Sequence, residues 1–472
     1  MSEKKRSKPA PLKAMMALLL FGGFLSLFNE TILNVALSQI MADLHVTATT
    51  VQWLSTGYVL IVAIMVPISA FLLHTFTTKQ IYTGAMGFFL LGTVIAAASG
   101  NFAVLLAGRM VQAIGTGLLA PIMINTALTL YPREKHGFIM GICTCVVLVG
   151  PSVGPIVSGV VLQVFSWRAL FIMLIPLAGA CIVGGLLVLG STIELTKPKL
   201  DVPSIVFSSA GFSLLVFGMS VIGSDTSILV TMLLFAGGAL SLICFTVRQL
   251  KLSQPMLNIR VFRKPYFTVG AVLVIVMQMV QFSLNILLPM LFESGIGLSS
   301  LLSALLLFPA VLVCSLMTIF SGKLYDRIGG KLLIPLGLLL MCVFLVMMTG
   351  IQPSTPIAWI AVINTLIYFG IALAWSPDQS NALRQLQPEE QTDGVAIINT
   401  FIQLGSALGT PLFVGLLSAG QSRYLAAAAT ADAAAKTQAL YAGFRSATQV
   451  AAGLIAIAFL LSLTLRKERQ NP

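Results

Sequence analysis

The segment LFNETILNVALSQIM, residues 27–41, places a carboxylate, Glu30, inside a run apolar enough to cross a bilayer. An unpaired charge at the centre of such a run costs at least about 2.5–3.5 kcal/mol, so a membrane acid needs either a function or a partner. Gly23, Ser26, Glu30 and Asn34 recur at spacings of three and four, one polar stripe on an otherwise apolar helix. A second intramembrane charge, Arg109, falls in the apolar run 102–130, with Gln112 and Thr116 following at helical spacing. At a rise of 1.5 Å per residue, Glu30 lies about 24 Å from the start of its helix, and Arg109 about 10 Å from the opposite face of a core about 30 Å thick. The two therefore share a height. The chemistry this suits is reversible proton binding, because burial disfavours a charged carboxyl while a neighbouring guanidinium favours it. A cationic or polar solute could then displace the proton by favouring the carboxylate. The alternative is a fixed Glu30–Arg109 ion pair that only locks two helices together.

Other polar residues fall where apolar ones are the rule. Gln278, Gln281 and Asn285 recur at spacings of three and four, and Asn399 and Gln403 at four. In lipid such stripes either join helices or line a cavity. Trp375 and the twenty methionines offer adaptable apolar wall. Asp378 follows Pro377 near a helix end, where it either lines a vestibule or is a solvated terminal acid; Asp393 suits a helix N-terminus. Glu30 is then the sole deep carboxylate, which predicts a low proton stoichiometry. Gly150, Pro151, Gly154 and Pro155 in GPSVGP remove backbone hydrogen bonds and permit a kink or close packing.

The elements that must position these residues are membrane helices. With 57% hydrophobic and 9% charged residues and a mean hydropathy of +0.99, most of the chain cannot be the exterior of a water-soluble domain. Fourteen apolar runs are long enough to span, the first near 14–37 and the last near 443–465. Of 27 lysines and arginines, 22 fall on one side under this count, which places both termini in the cytoplasm. The net charge of +12 is therefore a topology signal, and no nucleic-acid partner is expected. The six cysteines lie in apolar segments without metal spacing, and His45, His74 and His136 sit outside or at the edges of spans, so no metal is expected. The basic start MSEKKRSKPAPLK precedes a run long enough to be retained as the first helix.

The chain also repeats itself. PISAFLLHTFTTKQ (67–80) aligns loosely with IFSGKLYDRIGGK (319–331), at an offset longer than six helices need by about one helical pair. The expected organisation is a six-helix bundle over 1–190, an inserted pair over 191–250 and a second six-helix bundle over 251–472, with substrate bound between the halves. The outer segment 420–442, rich in alanine, predicts a short helix or helical hairpin.

On these motifs the chain resembles the major facilitator superfamily, and within it the fourteen-helix drug:proton antiporters. GKLYDRIGGK matches the superfamily's cytoplasmic-loop pattern through Gly322, Asp326, Arg327, Gly329 and Lys331; GRMVQAIGTG (108–117) resembles the fourth-helix motif, GPSVGP the fifth-helix antiporter motif, and WRALFIMLIP (167–176) a companion signature. The first cytoplasmic loop departs, with His74, Thr75 and Thr77 where acid, arginine and glycine are usual. The branch places its first-helix acid where Asn29 stands; here the acid is the next residue, Glu30. NETILNVAL, SPDQSNAL and TDGVAIINT look most like the lincomycin-resistance-type exporters.

The resemblance implies an all-α integral membrane fold and proton-coupled efflux of lipophilic, often cationic drugs by alternating access, from the cytoplasmic membrane and without a cofactor. It implies proton coupling at Glu30 and Arg109, substrate contacts at Ser26, Asn29, Glu30, Asn34, Gln112, Gln278, Gln281, Asn285, Trp375, Asp378, Asn399 and Gln403, and gating by the GPSVGP residues with Gly322, Asp326, Arg327 and Gly329. The expected partners are small-molecule drugs, protons and the lipid bilayer, and the chain is expected to act as a monomer. A membrane enzyme would need gathered catalytic groups, and no Walker motif suggests ATP-driven pumping. An exporter of an endogenous lipid or metabolite, or a non-transporting sensor of the same fold, would share these features.

Overall fold

The computed structural model describes residues 12–190, 201–220, 227–252, 255–427 and 433–465. The basic termini, the boundary at 191–200 and residues 223–226 of the GSDTS connection fall outside them. In chain order the helices are α1 (Leu12–Ile32), α2 (Leu37–Leu44), α3 (Ala48–Val51), α4 (Trp53–Thr75), α5 (Thr78–Ala97), α6 (Phe102–Leu130), α7 (His136–Val161), α8 (Arg168–Ile172), α9 (Leu174–Val188), α10 (Val202–Ser220), α11 (Ile228–Lys251), α12 (Pro265–Met290), α13 (Ser300–Ile328), α14 (Gly330–Thr349), α15 (Ile357–Arg384), α16 (Gln391–Ala427) and α17 (Ala433–Ser462). Among the described residues thirteen helical stretches are long and apolar enough to cross a membrane, and Val202–Gly218 is a shorter fourteenth. This agrees with the fourteen runs read from the sequence.

Several of these helices turn large apolar side chains outward, as a lipid surround tolerates. On α11, Ile228, Leu229, Met232, Leu233 and Leu240 are each more than half exposed, as are Leu186 and Leu187 on α9. In water such faces would be a large unburied apolar surface.

Two boundaries differ from the sequence pattern. The first helix stops at Ile32 instead of running to 37, and a turn over 33–36 separates it from α2. Tertiary bonds take over there: the Thr31 hydroxyl donates to the Pro151 carbonyl at 2.8 Å, and Asn34 Oδ1 accepts from Ser55 Oγ at 3.3 Å. At the alanine-rich segment, helix propensity acts as expected but lengthens existing elements, since α16 continues to Ala427 and α17 begins at Ala433.

The described residues group into two compact units, Met1–Pro132 with Gly150–Ile205 and Leu252–Leu257, and Arg133–Val149 with Val206–Lys251 and Asn258–Pro472. In the first unit α6 packs on α1, α4 and α5, while α9 packs on α1 and α5. In the second, α15 packs on α12, α13 and α14, and α16 on α12 and α17. Met277, Val280, Leu284, Met341, Ile363 and Ile367 are among the buried residues that form the second unit's core.

Candidate functional site

In the first unit, α6 presents Arg109, Gln112 and Thr116 along one face. It approaches its neighbours across small residues: a Cβ on Gly115 would lie 2.9 Å from the Phe89 nitrogen on α5, and one on Gly117 would lie 2.7 Å from Met65 Cβ on α4. These glycines of GRMVQAIGTG bring side chains from four helices into one cluster. Gln112 Nε2 donates to Thr93 Oγ1 at 2.8 Å, and Gln112 Oε1 accepts from Arg109 Nη1 at 2.7 Å. The same Nη1 lies 3.4 Å from the Asn29 carbonyl oxygen. The guanidinium is stacked 3.9 Å above the Tyr58 ring, whose hydroxyl accepts from Asn29 Nδ2 at 3.0 Å and hydrogen-bonds Thr116 Oγ1 at 2.6 Å.

Arg109 is fully buried, and its Nε and Nη2 have no partner among the described residues. Glu30 is half-buried and makes no direct ion pair among the described residues, although the charge of Arg109 acts on it through space. Asn29, one residue and about 100° away, is the α1 side chain built into the cluster. The rest of the expected stripe is used differently. Ser26 is buried with its hydroxyl bonded back to the Gly23 carbonyl at 2.8 Å, and Asn34 lies beyond the helix end and is exposed. Tyr58 carried no sequence signal, being one tyrosine in an apolar run.

Pro155 lacks the N–H that would bond the Pro151 carbonyl, and Thr31 supplies the missing donor from α1. A Cβ on Gly150 would lie 2.9 Å from Leu27 Cβ, and one on Gly154 would collide with the Thr31 hydroxyl, so this half of α7 lies close against α1. Thr31→Val keeps the shape and orphans the carbonyl. It is expected to cost about 1–3 kcal/mol, read as a lowered Tm of the detergent-solubilised protein.

In the second unit the KLYDRIGG turn is built around Asp326. Its Oδ1 accepts from the Gly137 N–H and its Oδ2 from the Phe138 N–H, both at 2.8 Å, so the carboxylate caps the N-terminus of α7. Oδ1 also pairs with Arg384 Nη2 at 3.0 Å. That nitrogen donates to the Arg133 carbonyl at 2.5 Å, and the Arg384 guanidinium lies over the Tyr325 ring. Gly322 and Gly137 approach so closely that a Cβ on either would strike the other's backbone. Gly329 adopts φ +77°, a left-handed conformation that glycine takes without strain, and its N–H closes α13 on the Tyr325 carbonyl. Arg327, expected beside Asp326, is exposed with no hydrogen bond or ion pair among the described residues. Arg384 fills that place; it lies 58 positions along the chain and was legible only as one basic residue among many.

The family model for the Major Facilitator Superfamily matches residues 19–410. The chain belongs to the major facilitator superfamily. It is 38% identical over 470 residues to the lincomycin resistance protein LmrB of Bacillus subtilis, covering 98% of this chain and 97% of that one. It is 36% identical over 469 residues to LmrB of Listeria monocytogenes, with 98% of each covered. Among solved structures, a double-tryptophan mutant of XylE superposes with a TM-score of 0.68 at 13% identity, covering 97% of both chains, which shows the shared fold.

The remaining predicted residues of this superfamily member divide by what they touch. Gln278 Nε2 donates to Ser406 Oγ at 2.7 Å, joining α12 to α16, and Asn285 accepts from the Tyr368 hydroxyl at 2.7 Å. Asn399 bonds back to the Val395 carbonyl at 2.9 Å, and Trp375 lies in the buried core. Gln281 is buried with Oε1 unpartnered among the described residues, and Gln403 is half-buried. Asp393 sits in the first turn of α16. Asp378 is neither solvated nor at a lined vestibule: it is 0% exposed and both its oxygens lack a partner among the described residues. Glu30 is therefore not the sole deep carboxylate. Sequence reading missed this because Pro377, Gln379, Ser380 and Asn381 around it resemble a fraying helix end.

WRALFIMLIP contributes a different cluster. Asp43 accepts from Arg168 Nη1 at 2.8 Å and from Trp167 Nε1 at 3.0 Å, while Arg168 Nη2 donates to the Ser99 carbonyl at 3.1 Å. The hydrogen bond from Arg168, then that from Trp167, holds the Asp43 carboxyl below its ordinary value. A depressed folded-state value stabilises above the unfolded one, about 3.9, and the stabilisation is lost as pH falls through the folded value. Asp43→Asn should thus lower Tm at neutral pH, and the gap from the wild type should close as pH falls below about 4.

Proposed function

We propose that this chain exports lipophilic, often cationic drugs or antibiotics across the cytoplasmic membrane in exchange for protons, with both termini in the cytoplasm. Two relatives named for lincomycin resistance, similar along nearly their full lengths, support the substrate class. One observation carries the proton coupling: a fully buried Arg109 keeps two unpartnered nitrogens beside a half-buried Glu30 with which it makes no direct pair.

Glu30 is free to choose between a proton, a cationic drug and the open side of the guanidinium. When it is charged, Arg109 favours it; when it takes a proton, that attraction is lost and the drug is released. Asn29, Tyr58, Thr116, Gln112 and Thr93 hold the guanidinium in place so that only the carboxyl changes state. Gln281 and Gln403 are the substrate contacts favoured on the second unit, because among the described residues neither bonds a neighbouring helix. The Asp326–Arg384 cluster is the cytoplasmic lock of an alternating-access cycle, and it is engaged here.

The test is a drug-susceptibility panel in a strain lacking its own efflux pumps, with ethidium or lincomycin efflux followed in energised vesicles. Expected are raised tolerance and efflux that a protonophore collapses. Efflux that persists at the same rate after the proton gradient is dissipated would rule out this coupling.

A further inference from the structure

We propose that Asp378 is a second proton-carrying carboxyl, so that each cycle returns two protons. The inference rests on the exporter reading above and adds a site and a stoichiometry to it.

Asp378 sits on α15 directly after Pro377, within a buried run from Trp375 to Leu383. Its side chain is 0% exposed, and neither Oδ1 nor Oδ2 has a hydrogen-bond partner among the described residues. The side of it that faces α12 is closely packed: a Cβ on Gly270 would lie 3.3 Å from Asp378 Oδ1 and 2.8 Å from Ala382 Cβ. No drug-sized gap separates α12 from this stretch of α15. A proton needs no space, and an unpaired carboxylate in such a place is strongly destabilising unless neutralised.

Among the described residues no bonded counter-charge does that neutralising. The packed helix α12 carries no charged residue. On α13 the charges are Lys323, Asp326 and Arg327, on α14 Lys331, and on α16 Asp393 and Arg423; the other titratable groups on these helices are Tyr266 on α12, Cys314 and Tyr325 on α13, Cys342 on α14, Tyr368 on α15 itself and Tyr424 on α16. None of them is hydrogen-bonded to Asp378, and Arg384 of the same helix is engaged with Asp326 and the Arg133 carbonyl. Pro377 also removes the N–H that would bond the Leu373 carbonyl, which weakens α15 one residue before the acid. A bend there is the step that would expose the carboxyl to water and let its proton leave.

The charge balance is explicit. Glu30 and Asp378 each take one proton from outside and release it inside while one monovalent cation leaves, so one net positive charge moves inward per cycle. With Glu30 alone, exchange of a monovalent cation is electroneutral and feels only the pH gradient.

The experiment uses the purified full chain in proteoliposomes, with ethidium as the probe. One arm imposes a membrane potential without a pH gradient, the other a pH gradient without a potential. The wild type should drive ethidium uphill under either; Asp378→Asn should lose the potential-driven arm and keep the pH-driven one; Asp378→Glu should restore the first. Potential-driven transport that survives in Asp378→Asn overturns the inference, as does a wild type indifferent to potential. Loss of both arms in Asp378→Asn without rescue by Asp378→Glu overturns it too, since that is the signature of a packing role. A wild type that moves ethidium under neither drive refutes the exporter reading instead. The inference is then decided by infrared spectroscopy, where a carboxylic-acid C=O band at neutral pH should persist in Glu30→Gln and vanish in Asp378→Asn; its absence from the wild type overturns the assignment.

Discussion

Replacing Glu30 with Gln should leave a protein that folds and equilibrates drug down its gradient but cannot concentrate it. Glutamine keeps the shape and a hydrogen-bonding edge of the protonated acid, yet it neither releases a proton nor offers a charge to a cation. Each coupled proton supplies about 1.4 kcal/mol per pH unit, so a wild-type exporter sustains at least about a tenfold ethidium gradient per unit. Glu30 is where drug and proton compete, so without it the proton that Asp378 carries is no longer tied to drug release; the variant should sustain none, and the host's drug tolerance should return to that of the strain without the pump. Folding is expected to survive because Glu30 is half-buried and makes no direct ion pair among the described residues, whereas Asn29 beside it is the residue tied to Tyr58. Arg109→Lys should fail as badly for a different reason. An ammonium cannot stack flat on Tyr58 while bonding Gln112, and these contacts fix the guanidinium. Uphill ethidium transport by Glu30→Gln at the wild-type rate would remove Glu30 from the coupling step.

The membrane frame was legible because lipid imposes simple rules. A chain with so few charges must span repeatedly, and the side on which its lysines and arginines collect orients every span. Local motifs were legible where backbone geometry demands one residue type, as at Gly329 with its positive φ and at the Pro155 gap that Thr31 fills. What stayed hidden was partnership across long separations. Nothing in KLYDRIGG says that Asp326 will pair with Arg384 instead of the adjacent Arg327, because that choice depends on α13 and α15 packing side by side. The polar stripe on the first helix failed at Asn34 for the same reason: periodicity assumes an unbroken helix, and the bonds of Thr31 and Asn34 end it early. Asp378 was misread because polar neighbours in sequence imply solvent, while packing buries the whole run from Trp375 to Leu383 around it.

Asp326→Asn should be the most damaging change at the cytoplasmic lock. The carboxylate is only 12% exposed and Arg384 14%, so screening by water is weak, and one side chain satisfies two backbone N–H groups of α7 and a guanidinium at once. Asparagine can keep at most the two donors on Oδ1, without a charge, and turns an N–H₂ toward the Phe138 N–H. Breaking a buried pair of this kind costs about 3–5 kcal/mol, and even about 3 kcal/mol displaces a two-state equilibrium by roughly 100-fold. Arg384→Gln should cost less, because Asp326 would still cap α7. The double variant should add little to Asp326→Asn, since both act through one cluster. The expected readout is a transport rate reduced at least tenfold in Asp326→Asn, with ethidium binding to the purified protein nearly unchanged. A lock fails by shifting the populations of the transport cycle, not by removing the binding groups. Loss of binding in a variant that still folds would mean that Asp326 shapes the substrate site itself, and additive losses in the double variant would mean that Asp326 and Arg384 act separately.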